Sequence, residues 1–556
     1  MPDETTPATL PPVADLDTFD RLLRRETNES ERELLLPTLA RLGESTAAVR
    51  TSEQAWDRVP ALAFAPLLPA PAVDVPRGVS LLDIPLPAYN GDVETLAFAP
   101  AAELARLLRA GRVSSSELTR MYLGRLKRYG PGLVCVVSLC EERALQEAQQ
   151  ADKEIAEGRW RGPLHGIPYG LKDLFAAEGT HTTNGAVPYR DLAPDFDCTV
   201  AAQLRMAGAV LVAKLSMGEL ALGDVWFGGT TRNPWKPDTG SSGSSAGSAS
   251  AVAAGLVGFA IGTETYGSIV SPSVRCGTTG LRPTFGRVSR YGAMALSWSM
   301  DKIGPMCRSV EDCTLVFDTI YGQDGQDGTV LPAPFTCDLH AGVAGLRVGM
   351  DEAAFKAEGV TDAHRAVLDV LRELGISPVP VTLPPTNPAY DALPLLTIQA
   401  EGAAAFAELA AAGGLRELAQ QGAWNWPNLL RAGAMIPASD YLQAQRARRR
   451  LQEEMNAALA DVDVYVTVPL KGPSLAYTNL TGHPTVITRC GLSDDGLPLM
   501  IEFTGNLLRE DAALRLAYAF EQKTGHNKQW PGDLPETAPP LHQDTPGLES
   551  VEEKQD

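Results

Sequence analysis

The chain has 556 residues, of which 44% are hydrophobic and 21% are charged, and its formal net charge is −20. This mixture is typical of a folded globular protein, and the length allows several domains or one large α/β domain with extensions. The acidic balance argues against direct binding to nucleic acid or to an anionic membrane, because phosphate groups are bound by clustered Lys and Arg. We therefore expect no nucleic acid and no membrane among the direct partners.

The cysteines and the N-terminus add two further exclusions. The eight cysteines are scattered without a Cys-x-x-Cys pair, which favours buried free thiols over a zinc ribbon or a disulfide framework. The stretch MPDETTPATLPPVADLD has acids and prolines where a secretory signal needs a basic patch and an apolar run. The sequence has no apolar run of about 18 residues, so no transmembrane helix is predicted. The expected location is the cytoplasm.

The first 95 residues are predicted to be a helical and proline-rich extension. Leucines at 22–23 and 34–36 are spaced for one or two amphipathic helices within residues 1–57. Seven prolines between Pro60 and Pro87 then exclude regular helix and indicate an extended strap or linker. At the other end, residues 536–556 are acidic and rich in proline, which is typical of a disordered tail.

Residues 96–535 alternate helical and short apolar segments. A helix is predicted to end near Gly111, and Ser114 with Glu117 forms a capping box that opens the next one. The stretch AAQLRMAGAVLVAKLSMGEL predicts a helix, a glycine turn and the buried strand AVLVA. This alternation predicts an α/β fold with a largely parallel sheet.

The run TGSSGSSAGSASAVAAG at 239–255 has the composition of a flexible linker. It continues, however, directly into small apolar residues that are typical of a tightly packed helix and a buried strand. A Gly/Ser loop at the start of a helix presents backbone N–H groups to an anion. The sequence therefore favours an active-site wall over a linker.

Serines combined with a buried lysine can form a relay that activates a serine nucleophile. Ser268 lies on a predicted turn, where the N–H groups of residues 265–268 could line an oxyanion hole. Lys172 interrupts an apolar stretch, and burial would lower its pKa and make it a base. Lys214 follows a buried strand just as suggestively, and Lys172 could instead pair with Asp173, so pattern alone leaves the choice open.

Four motifs in this order and spacing resemble the amidase signature family: GIPYGLKDLF, GSSGSSAGSASAVAAG, GTETYGSIVSPS and CGTTGLRPTFGRVSRYG. The likeness covers roughly residues 96 to 532. It implies an amidase-signature fold for residues 96–535, with a large mixed, mostly parallel sheet flanked by helices on both faces. It also implies cleavage of a linear carboxylic amide to an acid and ammonia or an amine.

By position, the resemblance assigns the catalytic roles to Lys172, Ser244 and Ser268, with a cis peptide bond between Gly243 and Ser244. Ser268 would attack the amide carbonyl while its proton passes through Ser244 to neutral Lys172. The main-chain N–H groups of Thr265, Tyr266, Gly267 and Ser268 would form the oxyanion hole, and water would release the acyl-enzyme. The family requires no cofactor and no metal. Lys214 and His483 become structural residues.

This chain departs from the family pattern at three places. Tyr266 stands where many members have the first of two glycines, Ala246 stands in place of another glycine, and Glu264 replaces a commoner Asp. A backbone N–H survives each change, and the longer carboxylate of Glu264 is expected to brace the loop. Substrate shape stays open, although Tyr266 and the stretch GDVWFGG hint at an apolar or aryl acyl site.

Other interpretations were weighed against an amidase. GSSAG at 243–247 matches the nucleophile elbow of α/β-hydrolases with Ser245 in the middle, but the preceding residues do not predict the buried strand that an elbow follows. The main alternative is a glutaminase-type subunit of a tRNA-dependent amidotransferase. The acidic surface and the long N-terminal extension favour a free-standing enzyme over this alternative. A catalytically dead binding protein is disfavoured because all three catalytic positions are intact. Residues 1–90 would be a strap over the catalytic domain or an oligomer contact, such as that of a homodimer.

Overall fold

The computed structural model describes residues 16, 20, 27–51, 79 and 81–541. The predictions for Leu22 and Leu23, for most of the proline-rich segment and for the tail from residue 542 lie outside the described residues. No helix in the described ranges is long and apolar enough to cross a membrane.

The helices and strands follow one another through the whole described domain. The helices are α1 Glu29–Thr51, α2 Ala101–Arg109, α3 Ser115–Leu133, α4 Glu141–Ala156, α5 Thr199–Met206, α6 Ala246–Ala253, α7 Val270–Cys276, α8 Val310–Ile320, α9 Glu352–Lys356, α10 Asp362–Glu373, α11 Pro388–Ala405, α12 Ala407–Ala411, α13 Trp426–Gly433, α14 Ala438–Ala458, α15 Ser474–Thr481 and α16 Glu510–Thr524. The strands are β1 Val136–Leu139, β2 Pro168–Lys172, β3 Val210–Leu215, β4 Val225–Trp226, β5 Gly229–Thr230, β6 Arg232–Asn233, β7 Lys236–Gly240, β8 Phe259–Glu264, β9 Thr279–Arg282, β10 Lys302–Cys307, β11 Val348–Asp351, β12 Val379–Val381, β13 Val464–Thr467, β14 Thr485–Leu492 and β15 Pro498–Gly505.

Eleven strands form one mixed sheet in the order β1-β3-β2-β8-β10-β9-β14-β15-β13-β11-β12. The predicted mixed sheet is confirmed, but the expectation that it is mostly parallel is wrong. Parallel pairing is confined to β2 with β3 and β8, and to β11 with β12 and β13. The other neighbours are antiparallel, because β14 and β15 form a hairpin and β10 returns between β8 and β9. Helix-strand alternation correctly predicted helix α5 and the strand β3 that follows it, which pairs in parallel with β2. The alternation does not hold where strands follow each other directly.

The central strands of the sheet are buried on both faces, for example β2, β3, β9 and β10. A sheet covered on both faces does not need to alternate apolar and polar residues. Leu211 and Ile261 belong to one hydrophobic cluster, whereas Val212 and Ala260, each one residue away, belong to another. Neighbouring residues on a strand point to opposite faces, so each cluster is the contact of one face with its covering helices.

Two predicted local features are confirmed. The side chain of Ser114 accepts a hydrogen bond from the N–H of Glu117, whose carboxylate in turn accepts from the N–H of Ser114, and this capping box opens α3. The predicted strand AVLVA is the fully buried β3.

Helix α1 lies against the large domain. Leu35 and Leu42 are buried in a cluster with residues of α11 and α14. Glu31 pairs with Arg431 of α13 at 2.8 Å, and the Thr38 hydroxyl donates to the carbonyl of Ala423 at 2.6 Å. These contacts agree with a strap over the catalytic domain, and the alternative role as an oligomer contact stays a prediction.

Candidate active site

Two buried lysines lie at the ends of the neighbouring parallel strands β2 and β3. Lys172 is in register with Leu215, and Lys214 is in register with Leu171. Because side chains alternate along a strand, the two lysines point to opposite faces of the sheet. Neither side chain is accessible to solvent.

Lys172 is surrounded by three hydroxyl groups. Its Nζ lies 2.8 Å from Ser244 Oγ, 3.1 Å from Ser245 Oγ and 2.8 Å from Thr263 Oγ1. The two serines belong to the segment before α6, and Thr263 lies on β8 beside β2. The Gly/Ser run is therefore part of a buried site, as the sequence predicts.

Burial lowers the pKa of Lys172 from its ordinary value of 10.5 to about 7, and the more distant carboxylates of Asp301 and Glu264 oppose this shift only partly. The hydrogen-bond partners of Nζ are uncharged, so contact with them does not compensate for the loss of water around an ammonium group. Near neutral pH, a large fraction of Lys172 is thus an uncharged amine, which can accept a proton.

The hydrogen bonds of Ser245 assign its proton. Its hydroxyl donates to the carbonyl of Thr263 at 3.0 Å and accepts from the N–H of Thr263 at 3.1 Å. Its remaining lone pair can therefore only accept from Lys172. A neutral amine has one lone pair, so only one of the hydroxyls of Ser244 and Thr263 can give it a proton. Ser244 belongs to the segment that contacts Ser268.

Ser268 lies in the short loop between β8 and α7 and is almost buried, with 8% of its surface exposed. Its carbonyl accepts a hydrogen bond from the N–H of Ser245 at 3.2 Å. The peptide bond between Gly243 and Ser244 is cis. The structure thus brings the segments that carry Lys172, Ser244 and Ser268 together.

The carboxylate of Glu264 anchors the loop of Ser268 through hydrogen bonds. One oxygen accepts from the N–H groups of Ile269 and Val270 at 2.8 and 2.9 Å, and the other accepts from Arg282 at 2.7 Å and Asn479 at 2.8 Å. Burial alone would raise the pKa of Glu264, but the charge and hydrogen bond of Arg282 outweigh it and lower this pKa to about 2. The residue therefore stays ionised and braces the loop, as expected for the longer acid.

The loop leaves backbone donors for a ligand. In the described part of the chain, the N–H groups of Tyr266, Gly267 and Ser268 donate to no protein acceptor. Gly267 has a φ of 89°, which favours glycine, whereas Tyr266 has no positive φ and its side chain is 42% exposed. A tyrosine is accommodated at 266 because it points away from the packed loop.

Lys214 has a different environment. Its ammonium pairs with Asp173 at 3.0 Å and donates to the hydroxyl of Thr182 at 2.8 Å and the carbonyl of His181 at 3.0 Å. The possibility that Lys172 pairs with Asp173 is therefore wrong, because Asp173 is the partner of Lys214 on the other face.

A cavity of about 240 Å³ adjoins the site. Thr263 and Thr265 line it on the loop side, and Leu174, Met294 and Leu296 contribute apolar surface. Asp301, which also lines it, accepts from the Thr265 hydroxyl at 2.6 Å. A small group bound here would lie beside both the hydroxyl cluster and the loop of Ser268.

The structure also bears on three other features predicted from the sequence, namely His483, the segment before Ser245 and Trp226. His483 is fully buried, contacts the Thr481 hydroxyl at 2.7 Å, and burial lowers its pKa to about 3, as suits a structural residue. A short strand, β7, does precede Ser245, but it pairs only with β6 in a two-stranded ribbon outside the main sheet. Trp226 is buried and donates to the carbonyl of Val134 at 3.3 Å, so it packs rather than lines the cavity.

Thr263 and Asp301 were missed by sequence reasoning. Thr263 lies in the quoted motif GTETYGS, but only the strand alternation of β8 could have indicated that it faces Lys172. Asp301 is distant in the chain from the loop it contacts. Among the described residues, no group of three or more His, Cys, Asp or Glu side chains is arranged to hold a metal ion.

A mixed sheet of this topology, with a buried lysine beside serine hydroxyls and a braced loop of backbone donors, defines a hydrolase-like site built on lysine and serine. Residues 117–474 match the sequence model of the Amidase family, which is well over half of the chain. The protein belongs to the amidase signature family and is an amide-cleaving enzyme of that family.

Curated relatives and solved structures point to two kinds of family member. The chain is 34% identical to the A subunit of glutamyl-tRNA(Gln) amidotransferase from Chloroflexus aggregans, over 76% of this chain and 96% of that protein. The corresponding protein of Dechloromonas aromatica is also 34% identical, over 78% of this chain and 98% of that protein. The native peptide amidase of Stenotrophomonas maltophilia is 34% identical with a TM-score of 0.70, covering 81% of this chain and all of that one. The curated names agree with the alternative function considered from the sequence better than with a free-standing amidase.

Proposed function

We propose that this protein hydrolyses a linear carboxylic amide to an acid and ammonia or an amine, with Ser268 as nucleophile, Ser244 as proton relay and Lys172 as base. The amide carbonyl would occupy the space between the loop of residues 265–268 and the cavity beside Thr265. The observation that supports this proposal most directly is the 2.8 Å contact between Lys172 Nζ and Ser244 Oγ, two buried residues.

In this proposal the proton moves from the hydroxyl of Ser268 through that of Ser244 to Lys172. Lys172, neutral in a large fraction of molecules near pH 7, takes the proton of Ser244. Ser244 takes that of Ser268 as its oxygen attacks the carbonyl. On collapse the proton returns through Ser244 to the departing nitrogen, and water then repeats the attack on the acyl-enzyme. Each proton given to Lys172 is returned within the same half-reaction.

The negative charge of the tetrahedral intermediate is matched by the loop. The N–H groups of Thr265, Tyr266, Gly267 and Ser268 are the proposed donors, and those of residues 266–268 have no competing protein acceptor among the described residues. Donors that are fixed before reaction stabilise a developing oxyanion strongly. Glu264 acts through the backbone, by holding Ile269 and Val270.

Replacing the nucleophile is the direct test. Ser268→Ala is expected to lower kcat/KM for amide hydrolysis by about 10⁴-fold or more, as removal of a nucleophile generally does. Ser271→Ala, three residues further on and partly buried, is the matched control and should keep near-normal turnover. Ammonia release from Ser268→Ala at the rate of the control would show that another group attacks the carbonyl.

A second candidate is an ammonia-supplying component of an amidotransferase. Its support is the 34% identity over 96% of the length of the Chloroflexus aggregans protein. The two functions separate in a single assay of the purified chain alone. Release of ammonia from simple amides without a partner favours the free-standing amidase. Glutamine cleavage that appears only with partner proteins and tRNA favours the amidotransferase.

A further inference from the structure

The cavity lined by Thr263 and Thr265 adjoins a second, larger cavity of about 720 Å³. Both cavities are lined by Trp298 and Gly328, so these residues form the boundary between them. The second cavity is otherwise bounded by the loop 329–332, by Phe285 and by residues 400–404 of α11. A ligand that extends from the first cavity into the second would therefore pass Trp298 and Gly328.

The boundary is held by one arginine. Arg290 pairs with Asp327 at 3.1 Å, donates to the carbonyl of Trp298 at 2.6 Å and to the hydroxyl of Thr329 at 2.8 Å. These bonds hold the backbone at Trp298 and the side chains of Asp327 and Thr329 at the boundary. Trp298 is 48% exposed, which leaves it available for contact with a ligand.

The charged groups around the second cavity are already used by the protein. Glu401 accepts from the hydroxyls of Ser297, Ser299 and Tyr441 at 2.6–2.7 Å and from the N–H of Ser299 at 2.9 Å. Among the described residues, Arg290 is the single cation that lines either cavity, against the carboxylates of Asp301, Asp327 and Glu401. The rest of the lining carries no charge: it is uncharged polar at Ser299, Gln323, Thr329 and Tyr441 and apolar at Phe285, Val330, Leu331, Pro332, Ala400 and Ala404.

We propose that the second cavity binds the distal, uncharged part of an elongated amide, whose reactive carbonyl lies at Ser268 and whose middle part passes Trp298. This inference rests on the proposed amidase function and adds a specificity site to it. Apolar contact in the second cavity contributes binding energy that a short amide cannot obtain. A terminal carboxylate would meet an acidic surround whose one described cation is already paired, so glutamine and other anionic amides should be poor substrates.

The test compares the cleavage of three primary amides by the wild type and by a variant whose second cavity is filled. Wild-type protein should cleave 6-phenylhexanamide with a kcat/KM about tenfold or more above that of propionamide, and above that of the anionic 7-amino-7-oxoheptanoate. Ala404 is exposed at the end of α11 and lines the second cavity, so Ala404→Trp fills it without disturbing the core. This variant should lose that advantage, so the ratio of its kcat/KM values for 6-phenylhexanamide and propionamide should fall toward one. Ala407→Trp, an exposed alanine outside the cavity lining, is the control and should retain it.

Binding to Ser268→Ala separates this inference from the proposed reaction. Calorimetry should show that 6-phenylhexanamide binds Ser268→Ala about tenfold more weakly once Ala404→Trp is added. If the wild type cleaves no amide yet this difference in binding is found, the proposed reaction is wrong and the second cavity remains a binding site. If amides are cleaved but Ala404→Trp treats the long and short compounds as the wild type does, or lowers both equally, the second cavity is not part of the substrate site.

Discussion

Lys172 and Lys214 differ in their partners although both are fully buried at the ends of adjoining parallel strands. Lys214 contacts the carboxylate of Asp173 at 3.0 Å, so its positive charge is compensated. Lys172 contacts three hydroxyls, and burial lowers its pKa to about 7. Burial of a lysine therefore does not by itself indicate a base. Among the described residues no carboxylate contacts Lys172, and this distinguishes the surroundings of the proposed base from those of Lys214.

Replacing Lys172 should have the largest effect on activity. Lys172→Met keeps the length of the side chain and removes the base, so kcat/KM for an amide should fall by about 10⁴-fold. Stability should not fall, because the folded protein no longer holds an amine whose protonation it disfavours. In the wild type, the unfolded chain keeps this proton up to about pH 10.5 and the folded chain releases it above about 7, so stability gained from Lys172 rises between these values. Steady-state kinetics and thermal unfolding check both expectations, and a variant with half of the wild-type rate would remove Lys172 from the mechanism.

Replacing Lys214 should have the opposite signature. Lys214→Met leaves the buried carboxylate of Asp173 without its cation, and the free energy of unfolding should fall by about 3–5 kcal/mol. The kcat per folded molecule should stay close to that of the wild type, because Lys214 faces away from Ser244. Denaturant titration measures the first quantity and active-site-normalised kinetics the second.

The double variant with Asp173→Asn is the control for this loss. It removes the unpaired charge, so it should recover part of the stability lost in Lys214→Met. A Lys214→Met protein as stable as the wild type would mean that the pair with Asp173 contributes nothing.

The pH dependence of the rate should report Lys172 alone. Since the neutral amine is the active form and its pKa is about 7, kcat/KM should be constant well above pH 7. It should fall about tenfold per pH unit below it. Lys214→Met should keep the same midpoint, measured over a range where both proteins remain folded. A midpoint that moves with Lys214, or a rate that rises toward acid pH, would contradict the assignment of the base.

The sequence predicted which segments form the candidate site. The residue patterns did not show which of the two lysines would face the serine hydroxyls. Both follow apolar runs, and only the strand register shows that Lys172 and Lys214 face opposite ways, since a shift of one residue would exchange the faces. The family resemblance therefore carried the choice of Lys172 that residue patterns had left open. The capping box at Ser114 was predictable because its contacts are local.

Contacts between distant segments account for what was missed. The expectation of a mostly parallel sheet came from the helix-then-strand order of segments such as AAQLRMAGAVLVAKLSMGEL and from the family resemblance. The antiparallel strands β9, β10, β14 and β15 lie in later segments where pairing is not set by local alternation. Likewise Asp301 reaches the loop of Ser268 from the start of β10, through the hydroxyl of Thr265. Such a contact depends on the assembled sheet and has no local signal.

The smallest expected effect concerns Thr263, one of the three hydroxyls that separate the surroundings of Lys172 from those of Lys214. Thr263→Val keeps the shape of the side chain and removes an acceptor that stabilises the ammonium form more than the amine. The pKa of Lys172 should then fall further, so the acid limb of the kcat/KM profile should move to lower pH. The plateau rate should drop by about tenfold or less, because one hydrogen bond contributes about 0.5–1.5 kcal/mol to the orientation of the amine. A full pH profile separates the two changes, and an acid limb that moved upward would mean that Thr263 stabilises the neutral form instead.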